Sequence, residues 1–249
     1  MRIVSALFFA SLFFASLFAT CAAQAQPLQM VAFGDSISQG FNAVVQGSNL
    51  DRNWSTGLAV KSHRVRLTEQ GHEVEALNLS RSGALSGDLA VQFGLLGRLV
   101  PGYVTIEIGA NDVCDGFVPG TAANVESLID RLVERNPDVT IVLAPIPRLL
   151  SLYEVNSDLQ ACRFVWGLFN VCPSILNGEL TDNDRADHQR QIDQLNDQLG
   201  RVADQHPQVQ FNRAAGDHAF SRADVGTIDC FHPSVQGQNQ LSELTFKGL

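Results

Sequence analysis

The alternation of short apolar runs with longer amphipathic stretches constrains the fold of this chain more than any other feature. The apolar runs predict strands over 28–33, 74–79, 104–108, 139–143 and 209–211. Apolar residues recur at helical spacing between these runs, which predicts helices over 55–70, from 86 onward, and over 121–135, 182–204 and 234–246. Strands that alternate with helices predict a mostly parallel sheet of about five strands, covered by helices on both faces.

The first 25 residues have the pattern of a targeting segment. Arg2 precedes an apolar run, and Ala23-Gln24-Ala25 has the small-x-small pattern of a cleavage site. We therefore predict a secretory signal peptide over 1–25 and a secreted or periplasmic protein. Cys21 as a lipidated cysteine is the rival interpretation. No linker, charge block or repeat divides the remainder, so we predict a single domain over 26–249.

The charge of the chain bears on its partners. The formal net charge is −9, with 17 Lys and Arg against 26 Asp and Glu, and loss of Arg2 with the signal peptide makes it more negative. An acidic chain without a basic stripe does not favour nucleic acid or an anionic membrane as a partner. The apolar run near the N-terminus is short for a membrane span, and no later segment resembles one.

Four cysteines remain after the predicted signal peptide, and an even number in an exported chain favours two disulfides. Three pairings are possible. We expect Cys162–Cys172, which would close a short loop, and by elimination Cys114–Cys230. A zinc site is the alternative interpretation, but the four cysteines lack C-x-x-C spacing.

Polar motifs follow each of the first three predicted strands. Ser36 ends the motif Gly34-Asp35-Ser36 after the first strand, where it is either an accessible nucleophile or a helix cap. Gly83 follows the second strand, where its N–H can approach a substrate or belong to an ordinary turn. Asn111 follows the third strand, and its amide is either a donor to a developing oxyanion or a cap for the next helix.

A fourth motif lies in the last loop, where Asp229 and His232 stand three residues apart. At this spacing the carboxylate can accept a hydrogen bond from one imidazole nitrogen while the other nitrogen faces a serine. The alternative is a surface pair beside Pro233. Since active sites of open parallel sheets gather beyond the carboxyl ends of the strands, we expect all four motifs to converge there.

On these motifs the chain resembles the SGNH (GDSL) hydrolase family, which is named for a Ser, a Gly, an Asn and a His. The matching residues are Ser36, Gly83, Asn111 and His232, with Asp229 as the triad acid. The resemblance implies a three-layer α/β/α sandwich and ester hydrolysis without a metal or organic cofactor. It also implies an oxyanion hole formed by the Ser36 and Gly83 N–H groups and the Asn111 side chain.

The sequence says less about the residues that would determine substrate specificity. The stretch 148–181 carries no family motif, but it is apolar and follows the fourth strand, so we predict that Phe164 and Trp166 bind an acyl chain. Ordinary core packing of these aromatics is the alternative. The segment 53–57, followed by Ser62-His63, resembles the phospholipase-like branch of the family. We therefore favour a lipid or phospholipid ester as substrate, with a carbohydrate or small-ester deacetylase and a non-catalytic binding protein as alternatives.

Overall fold

A parallel sheet forms the centre of the computed structural model, which describes residues 26–117 and 119–249. Its strands are β1 (Leu28–Gly34), β2 (Val74–Asn78), β3 (Tyr103–Glu107), β4 (Thr140–Leu143) and β5 (Val209–Phe211). They lie in the order β2-β1-β3-β4-β5, and every neighbouring pair is parallel. The prediction of a parallel sheet of about five strands is confirmed.

Helices cover both faces of this sheet. They are α1 (His63–Glu69), α2 (Leu89–Leu95), α3 (Ala110–Cys114), α4 (Thr121–Arg135), α5 (Leu150–Asn156), α6 (Gln160–Phe169), α7 (Pro173–Leu176), α8 (Asp182–Asp204), α9 (Arg213–Asp217) and α10 (Val235–Thr245). Helices α4 and α8 have the predicted bounds, and α10 lies within the predicted last helix. In the described part of the chain, no helix is both long and apolar enough to cross a membrane.

Alternate residues of the central strands face two separate apolar cores. Val31 and Phe33 of β1 belong to the core that includes the buried side chains of α2, α4 and α8. Met30, which directly precedes Val31, packs instead with Leu67 of α1 and Tyr103 of β3. This division follows from the two-residue period of a strand, which sends successive side chains to opposite faces. The three-layer α/β/α sandwich is thereby confirmed.

The strand order places a crevice beside β1. The chain runs from β1 to β2 on one side and then crosses to β3 on the other side. A reversal of this kind opens a crevice at the carboxyl ends of the two strands that flank it. Ser36 follows β1 and Asn111 follows β3, so both residues stand at the mouth of that crevice.

The helix predicted over 55–70 begins only at His63. The preceding segment is folded into a turn by Asn53, whose side-chain oxygen accepts hydrogen bonds from the N–H groups two and three residues later, at 2.9 and 2.7 Å. Trp54 in this turn is fully buried, and its ring N–H donates to Ser38 Oγ at 3.2 Å. The segment therefore supports the turn that follows Ser36 from behind.

The expected disulfide pairing is wrong. The structure joins Cys114 to Cys172 and Cys162 to Cys230. Cys162 lies in the first turn of α6, whereas Cys172 lies beyond the end of that helix. From Cys162 to the end of α6 at Phe169, the helix rises about 10 Å at 1.5 Å per residue, which is more than the Cα–Cα distance that a disulfide can span. The four cysteines of the described residues are all paired in disulfides, which leaves none of them as a thiolate ligand for zinc.

The two disulfides connect the helical insertion α5–α7 to the loops that carry the polar motifs. Cys114 is the last residue of α3, the short helix that contains Asn111. Cys230 lies between Asp229 and His232 in the last loop. The insertion is thus attached covalently to two sides of the crevice. Residues 1–25, where the signal peptide is predicted, lie outside the described residues.

Candidate active site

Ser36 is held in a tight turn directly after β1. Its carbonyl oxygen accepts hydrogen bonds from the N–H groups of Gln39 at 3.1 Å and Phe41 at 3.0 Å. The preceding Asp35 accepts a hydrogen bond from the Ile37 N–H at 2.9 Å. These bonds fix the backbone on both sides of Ser36, so its hydroxyl has a defined position at the edge of the sheet.

A chain of hydrogen bonds runs from Ser36 to His232 and on to Asp229. His232 Nε2 lies 2.8 Å from Ser36 Oγ, and His232 Nδ1 lies 2.6 Å from Asp229 Oδ2. The other oxygen of Asp229 accepts from the backbone N–H groups of Phe231 at 2.9 Å and of His232 at 3.0 Å. Two backbone bonds and one imidazole bond therefore fix the carboxylate relative to the ring.

The electrostatics keep Asp229 ionised. Burial by itself would raise the pKa of this carboxyl. The hydrogen bond from His232, the charge of that ring and the hydrogen bond from Asn42 together outweigh burial and hold the pKa below its usual range. Asn42 Nδ2 lies 2.6 Å from Asp229 Oδ2. An ionised acceptor at Nδ1 places the imidazole proton on that nitrogen, so Nε2 is free to accept from Ser36. Asn42 was not singled out in the sequence.

Gly83 and Asn111 lie at the same edge of the sheet as Ser36. Asn111 Nδ2 donates to the carbonyl of Ala84 at 2.9 Å, so the amide is anchored to the loop that contains Gly83. Gly83 has a φ of +76°, a left-handed conformation that favours glycine. Among the described residues, no group accepts a hydrogen bond from the N–H of Ser36 or Gly83. These donors, with the second amide hydrogen of Asn111, remain available to a bound oxyanion.

A pair of buried carboxyl groups, Asp35 and Glu107, lies behind the turn that contains Ser36. Both side chains are inaccessible to solvent, and the Asp35 N–H donates to the Glu107 carbonyl at 3.3 Å. Burial raises the pKa of Asp35 to about 6. Burial and the nearby charge of Asp35 raise the pKa of Glu107 well above its usual range. The folded protein therefore favours the protonated form of Glu107 more than the unfolded chain does. The signal for this pair was a glutamate inside an otherwise apolar strand.

The free energy of unfolding should fall less between acidic and neutral pH in Glu107→Gln than in the wild-type protein. A carboxyl whose pKa is raised in the folded state binds more protons than in the unfolded state, so its contribution to stability is lost as pH rises above the unfolded value. We expect the free energy of unfolding of Glu107→Gln, relative to wild type, to grow between pH 5 and pH 7, by at most about 1.4 kcal/mol per pH unit. Urea denaturation followed by tryptophan fluorescence measures this difference.

The exposed Glu179 supplies the control for that measurement. Glu179→Gln removes a carboxyl of the same size from the surface, so its stability relative to wild type should not change over this pH range. A difference between Glu107→Gln and wild type that is equal at pH 5 and pH 7 would show that Glu107 ionises normally in the folded protein.

A cleft of about 440 Å³ opens beside His232. Its apolar lining comes from the loop after Ser36, from α6 and the residues just after it, and from the last loop. It consists of Phe41, Val165, Phe169, Val171 and Ile228. Asn42, Gln46, Asp229 and His232 complete the wall. The cleft thus joins the reactive imidazole to an apolar space.

The two residues predicted to bind an acyl chain do not line this cleft. Trp166 is buried in the core, where its ring stacks on Tyr153 and its N–H donates to the Cys230 carbonyl at 3.3 Å. Phe164 is 66% exposed and lies outside the lining. Helix α6 contributes to the cleft, but through Val165 and Phe169. In the described residues, no group of three or more His, Cys, Asp or Glu is placed to hold a metal ion.

A serine, an imidazole and a carboxylate joined in this order are the arrangement of Ser-His-Asp hydrolases. Comparison with known proteins agrees with this class. The model of the GDSL-like lipase/acylhydrolase family matches residues 32–240, and the chain belongs to this family.

Individual relatives are more distant. An arylesterase of Vibrio mimicus is 29% identical over 132 residues, which are 52% of this chain and 61% of that protein, so the chain spans less than two thirds of this relative. The extracellular lipase of Streptomyces rimosus has a TM-score of 0.56 at 16% identity, covering 88% of this chain and 100% of the other. Phospholipase A1 of Streptomyces albidoflavus NA297 has a TM-score of 0.57 at 18% identity, covering 86% and 96%. At these identities the structural likeness concerns the fold.

Proposed function

We propose that this protein is a serine-dependent carboxylic ester hydrolase that works through an acyl-enzyme on Ser36. The observation that carries the proposal is the hydrogen-bonded chain from Ser36 Oγ to His232 at 2.8 Å and from His232 to Asp229 at 2.6 Å. Its place in a family of lipases and acylhydrolases supports the same reaction.

In the first step, Ser36 Oγ attacks the ester carbonyl carbon while His232 Nε2 takes the hydroxyl proton. The carbonyl oxygen becomes an oxyanion, and the Ser36 and Gly83 N–H groups and the Asn111 amide stabilise it. His232 then gives its proton to the leaving alkoxide, so the carbon–oxygen bond breaks and an alcohol departs. The acyl group remains bound to Ser36.

In the second step, water replaces the alcohol. His232 takes a proton from the water as its oxygen attacks the acyl carbon, and the same donors stabilise the second oxyanion. Return of the proton to Ser36 Oγ releases a carboxylic acid and restores the starting state. Asp229 stays ionised throughout and stabilises the imidazolium that forms in both steps.

The apolar cleft beside His232 favours a substrate with an apolar acyl or alkyl chain. The volume and lining of the cleft suit a ligand that buries most of its surface against apolar side chains. A lipid or phospholipid acyl ester is therefore our preferred substrate, in keeping with the lipase and phospholipase A1 that share the fold. A carbohydrate or small-ester deacetylase uses the same machinery, and p-nitrophenyl esters from acetyl to palmitoyl distinguish the two by their chain-length profile.

The two disulfides support export to an oxidising compartment. We propose a secreted or periplasmic location after cleavage of the predicted signal peptide near Ala25. Mass spectrometry of the protein recovered from culture medium or periplasm would measure the mature N-terminus.

Covalent labelling tests the enzyme proposal directly. A fluorophosphonate should modify the folded chain at one site, and peptide mapping should place the phosphonyl group on Ser36. The urea-unfolded chain should stay unmodified, because the reactivity depends on His232. Folded protein that resists the reagent would favour the alternative of a non-catalytic binding protein, and labelling at another serine would contradict the assignment of the nucleophile.

A further inference from the structure

Exposed apolar side chains border both sides of the cleft beside His232. On one side, Val44 and Val45 lie in the loop after Ser36 and are 48% and 61% exposed. On the other side, α6 exposes Phe164, Leu168 and Phe169 at 66%, 60% and 70%. We call these five residues the neutral rim. Other residues of this loop and Phe169 of α6 line the same cleft, so both groups lie on segments that form its wall.

Helix α6 has three stripes of different exposure. Cys162 and Trp166, four residues apart, are buried under the helix. Val165 and Phe169, also four apart, line the cleft. Phe164 and Leu168 form the third pair and face solvent. A helix that serves only to cover a core needs the first stripe and places polar residues on the others. The third stripe belongs to none of the apolar cores of the described residues.

The neutral rim lacks charge in a strongly acidic protein. Residues 36–50 contain no charged residue, and 159–178 contain only Arg163, although the whole chain has a net charge of −9. The Arg163 guanidinium donates to the carbonyl of Ser157 within the same chain. A surface that is apolar and uncharged does not select a strongly charged partner, and the acidic remainder of the molecule repels an anionic one.

We propose that the neutral rim docks the protein on the surface of a zwitterionic lipid aggregate, so that an acyl chain passes from that surface into the cleft beside His232. This inference rests on the proposed function, because it specifies how the ester reaches Ser36. A second copy of the chain or a protein partner seated on the rim would close the mouth of the cleft, whereas a lipid surface supplies substrate through it.

The disulfide between Cys162 and Cys230 would fix the distance between the catalytic loop and a lipid surface on which the protein docks. It links α6, which carries three rim residues, to the loop that carries Asp229 and His232. A surface that holds α6 therefore also holds the catalytic loop at a constant distance from the lipid.

Vesicle sedimentation tests the proposal in the full chain with Ser36→Ala, which prevents hydrolysis during the measurement. The test variant adds Phe164→Ser and Leu168→Ser, which lie outside the cleft lining. The control adds Val91→Ser and Leu95→Ser, an exposed apolar pair at the same spacing on α2, 58% and 66% exposed. On phosphatidylcholine vesicles, the rim variant should bind about 10- to 100-fold more weakly than the parent. The α2 variant should bind like the parent.

Several results would overturn the proposal. The parent chain could fail to bind the vesicles, or the rim and α2 variants could bind equally. The parent could also bind anionic vesicles more tightly than zwitterionic ones. Finally, size-exclusion chromatography could show a dimer that the rim substitutions abolish. Circular dichroism confirms that each variant is folded. Fluorophosphonate labelling of chains that retain Ser36 requires no vesicles, so a failure of docking is separable from a failure of the proposed function.

Discussion

Alanine in place of Ser36 is expected to lower kcat for p-nitrophenyl ester hydrolysis by about 10⁶-fold, the scale of nucleophile removal in a serine hydrolase. The substitution removes the hydroxyl oxygen that lies 2.8 Å from His232 Nε2, and with it the atom on which the proposed acyl-enzyme forms. The remaining donors at Gly83 and Asn111 still favour an oxyanion, so attack by water leaves a small residual rate. Initial rates with acetyl and longer acyl esters measure the loss.

Ser82→Ala is the matched control for this experiment. Ser82 is exposed beside Gly83, and its hydroxyl contacts none of the residues in the chain from Ser36 to Asp229. We expect its kcat to stay within about threefold of wild type, in line with the small effects of surface substitutions. Equal activity of Ser36→Ala and wild type would exclude Ser36 as the nucleophile. Equal inactivity of both would mean that the ester panel or the enzyme proposal is wrong.

The parts of the fold that the sequence predicted are those controlled by local periodicity. Strands with apolar side chains on both faces and helices with one apolar stripe leave a pattern within ten to twenty residues. That pattern located every strand of the sheet and the full length of α8. The motifs after β1, β2 and β3 converge because parallel strands end at one edge, so their proximity followed from topology alone.

The parts that the sequence did not predict depend on contacts between distant segments. The pairing of Cys162 depends on the helix that separates it from Cys172 and on the position of Cys230, 68 residues away. The face of α6 that meets the cleft depends on the same disulfide, which turns Trp166 inward and leaves Phe164 exposed. Short-range spacing contains no information on either point.

The buried pair of Asp35 and Glu107 illustrates a different limit. A carboxyl inside an apolar strand is costly when it is ionised and unpaired. Glu107 of β3 lies near the carboxyl of Asp35, which directly follows β1, and both groups have raised pKa values. Each residue by itself reads as an exception to the apolar pattern. Together they form a buried pair of carboxyl groups behind the turn of Ser36.

Asparagine in place of Asp229 is expected to lower kcat by about 10⁴-fold while the fold stays intact. The Asp229 carboxylate accepts from His232 Nδ1 at 2.6 Å and from the Asn42 amide at 2.6 Å. Both of these bonds are made by Oδ2, whereas Oδ1 accepts from the N–H groups of Phe231 and His232. If the amide oxygen of the variant takes the Oδ1 position and keeps the two backbone bonds, its NH₂ group stands at the Oδ2 position and faces the ring. His232 must then accept at Nδ1. The imidazole proton moves to Nε2, which can no longer take the proton of Ser36.

The control for this substitution is Asp224→Asn, which alters another buried aspartate of the same segment. Asp224 accepts from the Ser221 N–H at 2.9 Å and Ser221 Oγ at 2.6 Å and does not contact His232, so its loss should affect stability rather than kcat. Equilibrium unfolding and steady-state kinetics on both variants separate the two effects. A loss below about 100-fold in Asp229→Asn, far from the value for an obligate triad, would assign the orientation of His232 to the backbone instead. A large loss in Asp229→Asn alone would identify Asp229 as the group that sets the tautomer.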